Sequence, residues 1–163
     1  MEDLFIQYEK ELKDILRYLI FKAEKLENWG IYNGKLGVVI LFYEYSRYST
    51  DKLYEEFADK IIASVLRLPN DLSYRFSDGL SGIGWGIIYL MSRNFIEGDI
   101  DDILFEIDKK IALIDNNDIL VCNDINPYLF IKDEYRKNRS IEISIEKKNI
   151  LREIWMTNIV SHF

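Results

Sequence analysis

The fold is decided by the stretch Ser77-Asp78-Gly79-Leu80-Ser81-Gly82-Ile83-Gly84-Trp85-Gly86-Ile87-Ile88-Tyr89-Leu90, in which closely spaced glycines open an apolar run. Four of the chain's eight glycines fall within these fourteen residues. A glycine inside a helix costs about 1 kcal/mol relative to alanine. Such a cluster therefore indicates a helix start that other backbone segments approach closely. Anion binding by free N–H groups at the helix start is the alternative.

A similar cluster occurs earlier, at Gly30-Ile31-Tyr32-Asn33-Gly34-Lys35-Leu36-Gly37, before another apolar run. Pairing Gly34 with Gly82 gives a repeat of 48 residues. Repeats of this length are typical of stacked helical pairs. We assign a structural role to seven glycines of the two clusters: Gly30, Gly34, Gly37, Gly79, Gly82, Gly84 and Gly86.

Two kinds of helix alternate around these clusters. The spacing of apolar residues predicts amphipathic helices over 4–26, 51–66 and 99–114, and helices that are apolar on most sides over 34–48 and 82–93. A short buried strand is the competing interpretation of residues 34–48. Alternating outer and inner helices predict an all-α fold, a partial α/α toroid that forms an incomplete barrel of helical hairpins.

The length of 163 residues suits a single domain. We predict helical repeats over residues 1–114 and a divergent C-terminal tail over 115–163 that caps one end. Within the tail, Pro127 to Asn138 reads as a short helix. The last stretch, 140–163, has both strand-like alternation and helical spacing, and we interpret it as helix.

Composition excludes several classes of protein. The net charge of −7 argues against a nucleic-acid partner, because such a protein needs a basic face. A single cysteine, Cys122, excludes an internal disulfide framework, and the acidic start Met1 to Leu4 is unlike a signal peptide. No apolar run reaches the roughly 18 residues of a membrane span. We therefore expect a cytoplasmic protein.

Three stretches resemble the lanthionine synthetase C-like (LanC-like) family: residues 30–37, the run Leu41-Phe42-Tyr43-Glu44-Tyr45-Ser46-Arg47-Tyr48, and residues 79–86. The resemblance covers about residues 1–114. It implies the N-terminal part of a double ring of inner and outer helices, and a setting in the maturation of lantibiotic-type peptides.

The resemblance also implies a chemistry. Enzymes of this family hold zinc with two cysteines and a histidine, and the zinc activates a substrate thiol for thioether formation. Their Trp-Cys-x-Gly and Cys-His motifs do not occur in this sequence: Asn123 follows Cys122, and the only histidine is His162. Since a catalytic zinc needs about three protein ligands, we expect no zinc, no other cofactor and no catalytic residue.

Four residues are candidates for ligand binding: Asp78, Glu97, Trp85 and Tyr45. Asp78 and Glu97, together with Asp71, flank the second apolar helix and could line a cavity as acid and base. The alternative is that Asp78 caps a helix and the other carboxylates are solvated. The aromatic side chains suit either a peptide-binding wall or the core.

We therefore expect a non-catalytic or truncated LanC-like protein that binds a peptide or protein partner. A ring cut open leaves apolar end faces, which favours a homodimer. Two other functions stay open at this point. One is an α/α-toroid hydrolase that acts on carbohydrates with paired carboxylates, and the other is a purely structural interaction protein.

Overall fold

The computed structural model describes residues 2–114 and 119–137. These residues form six α-helices, with a 3-10 turn at Ala23–Lys25: α1 Glu2–Lys22, α2 Lys35–Ser49, α3 Lys52–Val65, α4 Leu80–Ser92, α5 Ile100–Ile111 and α6 Ile119–Lys137. No strand occurs in this part of the chain. The all-α prediction is therefore confirmed, and the strand interpretation of residues 34–48 is wrong.

The helices begin in two different ways. Asp51 caps α3 by accepting a hydrogen bond from the Leu53 N–H at 3.0 Å, and Asp99 caps α5 through the N–H groups of Asp101 and Asp102. Carboxylates at these positions satisfy N–H groups that lack partners within the helix. By contrast, α2 and α4 begin after glycines and have no side-chain cap.

The two glycine-opened helices are the most buried of the helices α2 to α5. In α4 every residue from Leu80 to Met91 is buried, and in α2 the run from Lys35 to Ile40 is buried without interruption. Helices α3 and α5 each bury only one stripe, as an amphipathic helix does. The predicted alternation between fully apolar and amphipathic helices is present from α2 to α5.

Helices α2 and α4 run parallel and in contact. Leu36 and Ile40, early in α2, lie against Gly86 of α4. Further along both helices, Glu44 of α2 binds Arg93 at the end of α4. Helix α3 returns antiparallel to α2 after a connection of two residues, and its ring of Tyr54 packs against Phe42.

Helix α6 continues the row on the other side of α4. The ring of Tyr128 lies against Gly84, where a Cβ atom would come closer than 3.0 Å to it. The Tyr128 hydroxyl donates to Asp108 of α5 at 2.5 Å, and Arg136 pairs with Asp101. These contacts make α6 parallel to α4 and antiparallel to α5.

The true repeat is 45 residues, so the predicted period of 48 is wrong. Gly34 and Gly79 both immediately precede a helix. The Lys35 N–H donates to the Asn28 carbonyl at 2.9 Å, and the Leu80 N–H donates to the Ser73 carbonyl at 2.8 Å. In each cluster the glycine that precedes the helix is followed by another three residues later, Gly37 and Gly82, and the period of 48 results from pairing Gly34 with Gly82.

The start predicted for the last described helix is also wrong. Helix α6 begins at Ile119 and contains Pro127, whereas the prediction placed its start at the proline. An interior proline loses one backbone hydrogen bond. Ile125 and Tyr128, on either side of it, are fully buried, and this packing offsets the loss. Residues 115–118 and 138–163 lie outside the described residues, and so do the predictions for 140–163 and His162.

Candidate functional site

The loops that precede α2 and α4 lie side by side. The Tyr32 N–H of the first loop donates to the Ser77 carbonyl of the second at 2.9 Å. A Cβ atom on Gly30 would fall closer than 3.0 Å to the backbone of Asp78. Gly37 and Gly82 have the same relation to carbonyl oxygens of their own loops. The glycines therefore permit backbone to pack directly on backbone.

This end of the molecule leaves little room for a ligand. The N–H groups of Lys35, Leu36 and Gly37 donate to the carbonyls of residues 28, 29 and 30, so the first turn of α2 is not a free anion site. The Lys35 side chain is buried, with its ammonium 4.4 Å from the centroid of the Trp29 ring. The anion-binding alternative does not fit the geometry at the start of α2.

Near its start, α6 is hydrogen-bonded to the same end of α4. The Phe76 N–H donates to the Asp124 carboxylate at 3.0 Å, and the Ser81 hydroxyl donates to the Asp124 carbonyl at 2.5 Å. One residue of α6 thus binds both the loop before α4 and the first turn of α4. The arrangement is structural, since each of these polar groups has a partner from the protein.

The two candidate carboxylates are far apart. Asp78 is half-buried in the loop before α4 and accepts a hydrogen bond from the Ser77 hydroxyl at 3.0 Å; Gly79, not Asp78, caps the helix. Glu97 is exposed beyond the other end of α4. Thirteen residues of helix span about 20 Å, whereas glycosidase carboxylates lie roughly 5–9.5 Å apart. The structure does not bring Asp78 and Glu97 together as an acid–base pair.

The two candidate aromatic residues belong to separate clusters. Trp85 is buried and stacks on Tyr89, with ring centroids 5.5 Å apart. Tyr45 is buried on another side of the row, in edge contact with Tyr54 of α3 at 4.7 Å. Burial raises the pKa of Tyr45 above the usual value of a phenol. Both rings pack in the interior.

A cavity of about 270 Å³ lies at the opposite end of the row, where the turn between α2 and α3 meets the turn between α4 and α5. At roughly 30 Å³ per water molecule, it holds a small group such as one amino-acid side chain. We call it the turn cavity. Its lining residues are Tyr43, Ser46, Arg47, Thr50, Lys52, Glu55, Asn94 and Phe95.

A three-layer stack forms one wall of the turn cavity. The ring of Phe95 lies between the ring of Tyr43, at 5.0 Å between centroids, and the guanidinium of Arg47, at 3.6 Å. The Arg47 Nη2 atom also donates to the Arg93 carbonyl at 2.7 Å. Burial, with the positive charge of Arg93 close by, lowers the pKa of Arg47. The stack fixes the orientation of the Arg47 fork.

Tyr43 is anchored from behind. Its hydroxyl donates to the Asp59 carboxylate at 2.6 Å. Burial raises the pKa of Tyr43 well above its ordinary value, and the hydrogen bond to Asp59 adds to the effect. The Tyr43 ring in the wall of the turn cavity is therefore uncharged and held in a fixed position.

Two cations of the turn cavity have no carboxylate partner among the residues that the structure describes. Within residues 2–114 and 119–137, neither Arg47 nor Lys52 forms an ion pair. By contrast, Glu44 binds Arg93 through two hydrogen bonds of 3.0 and 3.1 Å and accepts a third from Tyr89. Arg93 is thus neutralised inside the protein, while Arg47 retains N–H donors for a ligand.

The backbone of the cavity is strained at two points. Thr50 and Asn94 have φ angles of 59° and 56°, in the left-handed region. Asparagine tolerates this region, but a β-branched residue such as threonine rarely adopts it. Residues held in such conformations cost about 1–3 kcal/mol and cluster at functional sites. The turn cavity was not predicted from the sequence, and none of the four candidate ligand-binding residues lines it.

Comparisons of the chain with family models, with curated proteins and with solved structures find no match. In the described part of the chain, no three His, Cys, Asp or Glu side chains are grouped as a metal site. None of the helices described combines the length and apolar character that crossing a membrane requires.

Proposed function

We propose that this chain is a non-catalytic LanC-like protein that binds a peptide or protein partner and receives a carboxylate of that partner in the turn cavity. The observation that carries the proposal is Arg47, which is stacked on Phe95 and has no carboxylate of the described residues as an ion-pair partner. The proposal includes a cytoplasmic location, a setting in peptide maturation and no nucleic-acid partner. It contains no chemical step.

The order of the helices supports a partial α/α toroid. Helices α2, α4 and α6 form a parallel row, and α3 and α5 return between them, each packed against its neighbour in sequence. Inner and outer helices of a toroid alternate in this manner along the chain. Together with α1, they make three outer–inner pairs.

The chemistry of the turn cavity favours a carboxylate that is attached to a small apolar group. An arginine binds a carboxylate with two parallel, charge-assisted hydrogen bonds, and Lys52 adds a second positive charge beside it. Phe95 and Tyr43 supply an apolar surface for the side chain that carries or precedes the carboxylate. Glu55, also in the lining, is placed to accept a hydrogen bond from a peptide N–H.

The overall charge sharpens this selectivity. The chain has a net charge of −7, so an acidic peptide is repelled by most of the surface. The lining of the turn cavity is a local exception, with one carboxylate and two cations that form no ion pair within the described part of the chain. The favoured ligand is therefore a peptide with a single exposed carboxylate, such as its C-terminus, rather than a polyacidic segment.

The test uses an array of random short peptides with free C-terminal carboxylates and the same array with C-terminal amides. We expect binding to a subset of the free-carboxylate peptides. In solution, Arg47→Ala weakens that binding about tenfold or more, since hydrogen bonds to charged groups contribute about 1.5–3 kcal/mol.

The matched control is Arg17→Ala, which removes an exposed arginine on α1 that pairs only with the neighbouring Asp14 in the described structure. This variant should bind like the wild type. Both variants should keep the helicity and melting temperature of the wild type, and these two measurements check that the fold is intact. Absence of any binding peptide, or equal affinity of wild type and Arg47→Ala, would overturn the proposal.

A further inference from the structure

The buried part of the turn cavity contains a hydroxyl group that the described structure does not satisfy. Two of the lining residues are buried, Tyr43 and Ser46, with 1% and 6% of their surface exposed. The Tyr43 hydroxyl donates to the Asp59 carboxylate. The Ser46 hydroxyl forms no hydrogen bond with any residue in the described part of the chain.

Other serines of the helices find their partners within the protein. Ser49, Ser64 and Ser92 each donate to a backbone carbonyl of the preceding turn, at 2.7 to 2.8 Å. Ser81, the other buried serine of the described residues, donates to a backbone carbonyl of α6. Because buried polar groups nearly always have a hydrogen-bond partner, the hydroxyl of Ser46 indicates a partner that enters the cavity.

The position of Ser46 on α2 directs its side chain into the cavity. Tyr43, Ser46 and Arg47 follow one another at positions i, i+3 and i+4, which share one face of a helix. All three line the cavity, so this face of α2 is turned toward it. Arg47, Lys52 and Glu55 are exposed and form part of the rim, whereas Ser46 lies below the rim.

We propose that Ser46 selects the side chain of the ligand residue that carries the carboxylate, and that this side chain is short and ends in an uncharged hydroxyl or amide. The inference rests on the function proposed above, because Arg47 is taken as the carboxylate site. Ser46 and Arg47 are consecutive, so a single ligand residue reaches Arg47 with its carboxylate and Ser46 with its side chain. Peptides that end in threonine or asparagine have the required chemistry.

The hydroxyl determines which side-chain tips are accepted. A serine hydroxyl can both donate and accept, so Ser46 suits a hydroxyl as well as an amide. An aliphatic tip would leave the buried hydroxyl without a partner, and a site built to bind a polar group rejects an analogue that lacks it. A charged tip would lose its hydration beside a neutral group, which costs more than one hydrogen bond returns.

The rest of the lining restricts the side chain in size and charge. The volume of about 270 Å³ has to hold the carboxylate as well, so the side chain must be short. The rings of Tyr43 and Phe95 supply an apolar surface for its stem. A cationic tip is repelled by Arg47 and Lys52, and an anionic tip by Glu55.

The first test uses four pools of acetylated tetrapeptides with free C-terminal carboxylates. The first three positions are random, and the last is threonine, valine, asparagine or leucine. Threonine and valine have nearly the same shape, as do asparagine and leucine. In calorimetric titrations, wild type should bind the threonine pool about threefold to tenfold more tightly than the valine pool, and the asparagine pool likewise more tightly than the leucine pool, which is the contribution of a neutral hydrogen bond.

Ser46→Ala should abolish both preferences by weakening the binding of the threonine and asparagine pools. The matched control is Ser64→Ala, which removes a hydroxyl that donates to the Ile61 carbonyl and lies outside the cavity. This control should keep both preferences. A preference that persists in Ser46→Ala would assign the selection to another group and overturn the proposal.

The outcomes for the wild type separate this inference from the proposed function. Equal binding of all four pools would overturn the role of Ser46 and leave the carboxylate site in place. No binding of the pools, together with binding peptides on the array of free carboxylates, would also overturn the role of Ser46 alone. If neither the pools nor the array contained a binding peptide, both proposals would be wrong.

A second test needs no ligand. Ser46→Ala should leave the melting temperature unchanged or raise it, because the hydroxyl has no partner among the described residues and alanine favours a helix. Ser81→Ala is the comparison, and it should lower the melting temperature because it breaks the buried hydrogen bond to the Asp124 carbonyl. Equal decreases in the two variants would show that Ser46 has a structural role and would overturn the proposal.

Discussion

The two ends of the parallel helices α2 and α4 are built on opposite principles. At their N-terminal ends, backbone packs on backbone through glycines, and the first-turn N–H groups of α2 donate to loop carbonyls. At their C-terminal ends, side chains surround a cavity, two cations have no carboxylate partner among the described residues, and Thr50 has a strained backbone. The N-terminal ends of α2 and α4 thus determine how the helices pack together, whereas their C-terminal ends leave Arg47 and Lys52 available to a ligand.

The largest effect should follow from a methyl group added at the glycine end. Gly37→Ala and Gly82→Ala should each lower the free energy of unfolding by about 3 kcal/mol, because the new Cβ atom meets a carbonyl that cannot move aside. Gly86→Ala is the control, since its Cβ atom meets side-chain atoms of Leu36 and Ile40 and no backbone atom among its nearest neighbours. This control should change stability by no more than about 1 kcal/mol. Urea denaturation measures all three, and equal losses would show that the glycine end is not special.

The next largest effect concerns the ion pair between Glu44 and Arg93. Glu44→Ala leaves Arg93 and the Tyr89 hydroxyl without their carboxylate, so we expect a loss of about 2–3 kcal/mol in the free energy of unfolding. Asp14→Ala breaks the exposed pair with Arg17 and should cost less than about 0.5 kcal/mol. If urea denaturation gave similar losses for the two variants, the Glu44–Arg93 pair would contribute no more to stability than an exposed ion pair.

Two tyrosines, Tyr43 at the turn cavity and Tyr128 against Gly84, should make the free energy of unfolding fall at alkaline pH. Burial raises the folded-state pKa of Tyr43 and of Tyr128. Folding therefore favours the protonated phenols, and this contribution is complete below about pH 10 and is lost as the pH rises above it. Each tyrosine adds a slope of up to about 1.4 kcal/mol per pH unit. Between pH 10 and 11, the variant with Tyr43→Phe and Tyr128→Phe should lose stability less steeply than the wild type, whereas parallel profiles would contradict the pKa directions.

The smallest effect should be a gain of stability at the cavity end. Thr50→Gly removes a β-branched residue from the left-handed region and should raise the free energy of unfolding by about 1 kcal/mol. Asn94→Gly is the comparison, and it should gain less because asparagine tolerates this conformation. A loss of stability in Thr50→Gly would mean that the threonine side chain contributes more than its backbone costs.

Much of the helical framework could be predicted from the sequence. The apolar runs that follow the glycines and the caps Asp51 and Asp99 are local signals, and they place α2, α3 and α5 closely, while α4 begins two residues before the predicted start at Gly82. The repeat period could not be read as reliably, because Gly34 aligns equally well by eye with Gly79 or Gly82. Only the hydrogen bonds from the loops decide between them. The toroid and the family resemblance stay predictions.

The site could not be predicted in the same way. The turn cavity brings Arg47, Lys52 and Phe95 together from two turns that are more than 40 residues apart, and no local pattern marks them. The repeat itself could have indicated the cavity, since it places equivalent turns side by side. Only the correct period of 45 residues identifies which two turns are equivalent. By contrast, Asp78 and Glu97 are close in sequence yet separated by a whole helix.

The contact between Gly84 and Tyr128 shows how one helix of the row can pack against the next. Gly84 of α4 leaves a recess that holds the ring of Tyr128 in α6. Helix α6 therefore packs against α4 through one ring of suitable size, without a glycine cluster at its own start. At the joint between α2 and α4 the glycine, Gly86, is on the later helix instead, and Leu36 and Ile40 of α2 fill the space beside it. Either helix of a joint can therefore supply the glycine, so a 45-residue unit added to the row would need only one glycine opposite one large side chain.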